Sequence, residues 1–125
     1  MKITLATLPN ATEQQVFDQV ATHLATQGVQ ARNNNNLCCY RTDNGLMCAA
    51  GCLMDDKEYD PDMEKKGWAV LQRNGKVPDA HLYLIQDLQT VHDGYAPKYW
   101  RQALQHVADQ RRLCDNVLDK LPFPQ

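Results

Sequence analysis

The sequence predicts an α+β fold: about three helices packed on a small antiparallel sheet built around a hairpin over residues 37–49. Three observations lead there. Apolar residues recur at helical spacing in three stretches, an Asn-Gly pair sits between two short apolar runs, and 125 residues with 43% hydrophobic content suit one core. A single domain over 1–125 is therefore expected, and a disordered chain is not.

Residues 12–27 read as the first helix. Val16, Phe17, Val20, Ala21 and Leu24 fall on one face. Asn10 and Thr12 both suit an N-cap, with Glu13 and Gln15 placed three residues on for a capping box, and Gly28 supplies a stop. The four asparagines Asn33–Asn36 favour local side-chain bonding, so they mark a loop.

The hairpin is expected next. Leu37-Cys38-Cys39-Tyr40-Arg41 and Leu46-Met47-Cys48-Ala49 flank Thr42-Asp43-Asn44-Gly45. Its register stays open between pairings of Arg41 or of Cys38 with Cys48, and a one-residue slip would exchange the faces. Trp68–Gln72, followed by Asn74-Gly75, reads as a short third strand. Asp79 is the expected cap of a helix from Ala80 to Val91, with Gly94 as its stop. Pro97 suits the first turn of a last helix whose stripe is Trp100, Ala103, Leu104, Val107 and Ala108. Leu113, Val117 and Leu121 would continue that stripe.

Charge and motifs remove several function classes. The net charge of −2 lacks the basic footprint of a nucleic-acid binder, so no direct nucleic-acid binding is expected. No apolar run approaches membrane-spanning length, and the N-terminus lacks the apolar core of a signal peptide. Five cysteines, an odd number without a secretion signal, point to reduced thiols and a cytoplasmic location. Glycine-rich phosphate loops, a serine elbow and an H-E-x-x-H pair are missing.

Four cysteines, Cys38, Cys39, Cys48 and Cys52, lie within fifteen residues. They admit a zinc site, although no Cys-x2-Cys knuckle is present and neighbours on a strand point to opposite faces. Packing of small apolar thiols is the plainer reading. A third use is a thiol nucleophile, Cys38 or Cys48 with His92 as base, which needs a stabilised thiolate. His23 is expected to be structural. Tyr40 and Arg41 at the hairpin form an aromatic-arginine pair of the kind enriched at binding surfaces. From Asp55 to Glu64 six acids face one base, and Asp55, Asp56 and Glu58 are the acidic contact candidates. The spacing does not match a calcium loop.

The run Cys38 to Tyr59 resembles a pattern in small proteins of tailed phages and prophages, approximately C-x-Y-R-x-x-x-G-x-x-C-A-x-G-x-L-x-x-D-x-x-Y. Leu88-Gln89-x-x-His92-Asp93, Trp100 in a helix and Val16-Phe17-Asp18 also fit it. Cys38, Tyr40, Arg41, Gly45, Cys48 and Gly51 carry the signature, while Cys39 and Cys52 fall on variable positions. The resemblance implies a phage or prophage accessory protein acting inside the bacterial cell, and no activity comes with it. The expected function is binding of a host protein, such as inhibition of a defence or nucleic-acid enzyme, without catalysis and without a cofactor. Zinc is the alternative.

Overall fold

Thr12 opens the first helix as its spacing predicts. Its hydroxyl accepts from the Gln15 N–H at 3.1 Å, and the Gln15 side chain accepts from the Thr12 N–H at 2.9 Å. Such a box is worth about 1 kcal/mol. In this computed structural model, which describes residues 2–125, α1 spans Glu13–Gln27 and ends at Gly28, whose φ of 72° needs a glycine. Val16, Phe17, Val20, Ala21 and Leu24 are buried, as their periodicity requires.

Three further α-helices follow among the described residues: α2 (Trp68–Arg73), α3 (Leu82–Gly94) and α4 (Trp100–Arg111). α1, α3 and α4 pack on one another, and α2 packs on α3. One core joins them, with Phe17, Leu24, Leu53, Ile85, Leu88, Trp100 and Leu104 fully buried. Each such side chain contributes about 1.5–3 kcal/mol through burial.

Boundaries shift where local chemistry was misjudged. Asp79 is not the cap of α3. His81 occupies that position with a left-handed φ of 63°, and its ring Nε2–H donates to the Ala11 carbonyl at 2.8 Å. Pro97 starts a 3-10 turn, Pro97–Tyr99, that leads into α4. The left-handed Arg112 ends α4, so Val117 belongs to a separate 3-10 turn over Asn116–Lys120.

The expected α+β fold and its sheet are not found. The described residues hold only two isolated antiparallel bridges, Arg32 with Cys38 and Arg41 with Met47. The cysteine-rich hairpin is reduced to two successive tight turns. Asn33–Asn36 closes through Asn36 N–H to Asn33 O, and Thr42–Gly45 through Gly45 N–H to Thr42 O. The supposed third strand at 68–72 is α2.

The reason lies in where the backbone donors go. Met47 is held by Gln27 of α1, whose Oε1 accepts its N–H and whose Nε2 donates to its C=O, both at 2.9 Å. Gln19 holds both groups of Ile3 in the same way, at 2.7 and 3.0 Å, and Gln14 those of Cys114, at 2.8 and 3.0 Å. Glu64 takes the N–H groups of Tyr40 and Arg41, and Gln89 takes that of Ala50. Side-chain amides and carboxylates thus satisfy irregular backbone that a sheet would otherwise pair.

Candidate functional site

Tyr40, Arg41, Asp55 and Glu58 turn inward, and Asp56 does not. Tyr40 is buried, donates its hydroxyl to the Lys66 carbonyl at 2.5 Å and packs 6.3 Å from the Trp68 ring. The Arg41 side chain is only 15% exposed. It binds Asp56 and the Met54 carbonyl, and its guanidinium lies 5.6 Å from the Tyr59 ring centroid. Glu58 accepts from the backbone of Leu5, Ala6 and Asp55, each at 2.9 Å, which fastens the N-terminal segment. Asp55 accepts from the Glu58 N–H at 2.8 Å. Of the five expected contact residues, only Asp56 presents its side chain to solvent, at 96% exposure.

Glu64 is a hub that sequence reading missed. One oxygen accepts from Tyr40 N–H at 2.9 Å, the other from Arg41 N–H at 3.2 Å and the Tyr59 hydroxyl at 2.6 Å. Gly51 has an equally local cause. A Cβ there would lie 2.1 Å from the Tyr40 carbonyl oxygen, so only glycine fits against that backbone.

The four clustered cysteines are not gathered around one point. All five thiols are free. Cys48 and Cys52 are buried, the first accepting from Gly51 N–H at 3.2 Å and the second donating to the Ala49 carbonyl at 3.1 Å. Burial raises both thiols, that of Cys52 to about 12. Burial and then Glu64 push the Cys39 thiol up to about 11. Cys38 is also raised, first by burial and then by Asp93.

Cys38 instead meets residues from α3. Ligand-type atoms of Cys38, His92 and Asp93 lie within 4.8 Å of one another, the only such group of three among the described residues. His92 is fully buried and stacks 5.8 Å from the Trp100 ring. Its Nε2 receives the Ala31 backbone N–H at 2.9 Å, so the ring proton sits on Nδ1, which donates to Asp93 Oδ1 at 2.6 Å. Gln89 Nε2 donates to the same oxygen at 3.0 Å. Burial works to raise the Asp93 carboxyl, but the bonds from His92 and Gln89 outweigh it and hold the group below its ordinary value.

This protonation pattern decides the chemistry. A zinc ion on His92 Nδ1 needs that nitrogen bare, whereas the Ala31 N–H places the proton there. A thiolate needs a depressed thiol and a free base, whereas the Cys38 thiol is raised and both His92 nitrogens are engaged. The cluster is suited to holding an ionised Asp93 in a fixed orientation.

Asp93 opens onto a pocket of about 690 Å³ that Cys38, Cys39, Glu64, Lys65, Lys66, Trp68, Gln86 and Gln89 also line. Residues far apart in the chain, Cys38 and Tyr40 from the loop after α1 and Gln89 and Asp93 from α3, meet here.

Comparison with protein-family models, curated proteins and solved structures finds no match.

A second concavity, about 830 Å³, lies between α3 and α4. Tyr95 and Tyr99 line it at 47% and 48% exposure, together with Asp87, Thr90, Gln102 and His106. No helix among the described residues is long and apolar enough to cross a membrane.

Proposed function

We propose that the protein is an accessory protein of a tailed phage or prophage that binds a host protein and has no catalysis of its own. The observation that carries this reading is the α3–α4 groove with its two half-exposed tyrosines, Tyr95 and Tyr99. Tyrosines rimming a groove supply large, rigid contact area at small entropic cost, which is why they anchor protein interfaces. Tyr83, one turn before Asp87 on α3, extends the aromatic face at 71% exposure.

The contact surface therefore moves away from the hairpin. Tyr40 and Arg41 hold the fold together, and a partner reaching them would have to break the Glu64 and Met54 bonds. The engaged nitrogens of His92 and the raised thiols support a role without a thiol nucleophile.

The test is capture of the host partner with the folded full chain, followed by affinity measurement with the purified partner. Tyr95→Ala with Tyr99→Ala should weaken binding at least tenfold, and Asp56→Ala should change it less than threefold. No specific partner, or a partner indifferent to both tyrosines, would overturn the reading.

A further inference from the structure

Trp68 is 4% exposed, and its Nε1–H meets no acceptor among the described residues. A buried donor left unpaired is destabilising, so an acceptor from outside the chain would be favoured there. Trp68 lines the same pocket as Asp93.

The lining of that pocket brings both signs of charge together. From α3, Asp93 is held below its ordinary carboxyl value, is oriented by His92 and Gln89 on Oδ1 with the Cys38 thiol beside it, and keeps a partly exposed side chain that can meet a ligand. Gln86 adds a side-chain amide from the same helix. From the segment leading into α2, and from its first residue, come Glu64, Lys65, Lys66 and Trp68. Glu64 spends both oxygens on Tyr40, Arg41 and Tyr59, whereas Lys65 and Lys66 are exposed and form no ion pair among the described residues. A lone cation would meet the lysines, and a lone anion would meet Asp93. A ligand carrying both charges meets a partner for each of them.

We propose that this pocket binds a small zwitterion of the α-amino-acid class. Its ammonium group sits on the Asp93 carboxylate, and its carboxylate faces the lysines and accepts from the Trp68 Nε1–H. The site is separate from the Tyr95–Tyr99 groove, and either assignment can fail without the other.

The chain has two tryptophans, so 15N-labelled full-length protein gives two indole N–H signals. That of Trp100 is already bonded to the Tyr95 carbonyl at 3.0 Å and serves as an internal reference. The probes are the proteinogenic L-amino acids one at a time, butylamine and acetate as single-charge probes, and zinc chloride. At least one amino acid should move the Trp68 signal downfield in a saturable way while the Trp100 signal stays. Asp93→Asn retains an oxygen for His92 and Gln89, so its fold should persist by circular dichroism. Its affinity should drop tenfold or more, since a charge-assisted bond is lost. Lys65→Ala with Lys66→Ala, two surface changes, should weaken binding as well. The proposal is overturned if no amino acid moves the signal, or if butylamine or acetate alone does so as well. It is also overturned if zinc does so instead, or if Asp93→Asn binds unchanged.

Discussion

The backbone N–H of Ala31 donates to Nε2 of His92 at 2.9 Å, a bond between the chain just after α1 and the last turn of α3. It fixes more than position. A ring nitrogen that accepts a backbone proton cannot carry one, so the other nitrogen must, and that proton orients Asp93.

The first prediction concerns that proton. Long-range 1H–15N spectra at neutral pH should place it on Nδ1 of His92. Zinc added to the folded chain should then leave the melting temperature unchanged, because the Cys38, His92 and Asp93 donors lack a bare Nδ1. Finding the proton on Nε2, together with a zinc-dependent rise in melting temperature, would restore the metal site.

Thiol reactivity gives a second prediction. In native protein at pH 8, iodoacetamide should modify the exposed Cys114 first and Cys38 and Cys39 slowly. Cys48 and Cys52, buried and with raised thiols, should react only after unfolding. Fast alkylation of Cys38 or Cys48 below pH 7 would instead identify a nucleophile.

The helices were legible because their signals are local. Thr12, Gly28 and the Val16–Leu24 face announce α1 within one window of sequence. Trp68–Leu71 is a short apolar run, and periodicity over so few residues does not separate a strand from a helix. The hairpin failed for a different reason. Asn44-Gly45 does form a turn, but the donors that would have built a ladder go to Glu64, Gln27 and Gln89, which lie far away in the chain. The candidate site was legible in its parts only. Cys38, His92 and Asp93 each stood out, while their meeting depends on how α3 docks against the loop after α1.

Gly51 supplies a third prediction. Gly51→Ala puts a Cβ against the Tyr40 carbonyl, where backbone rather than a flexible side chain must move. A loss of about 3 kcal/mol or more is expected in urea unfolding. Gly45→Ala, at φ 90° but with open space around it, should cost about 1–2 kcal/mol. Equal costs would contradict the close approach.

The glutamine pairings can be tested in the same way. Gln27→Ala leaves the N–H of half-buried Met47 without its acceptor and its C=O with the His23 ring alone, and about 1–3 kcal/mol should be lost. Gln27→Leu keeps the bulk and should cost a similar amount. A leucine variant as stable as the parent would mean that packing, and not the amide, holds this segment.

His23 gives a prediction with a pH sign. Its Nε2–H donates to the Met47 carbonyl at 2.8 Å, and burial, which outweighs that bond, lowers its pKa below the usual 6.5. The unfolded chain therefore takes up a proton on this ring at a higher pH than the folded chain does. The contribution of neutral His23 is complete above about pH 6.5 and is lost as pH falls from there through the folded value, with a slope of at most about 1.4 kcal/mol per pH unit. His23→Gln keeps a donor for Met47 and removes the titration. Asp93 also titrates in acid, but it is common to both proteins and cancels in the difference. Urea midpoints measured between pH 7.5 and 5 should therefore fall more steeply for the parent than for His23→Gln, and parallel profiles would show that His23 is as accessible to protons folded as unfolded.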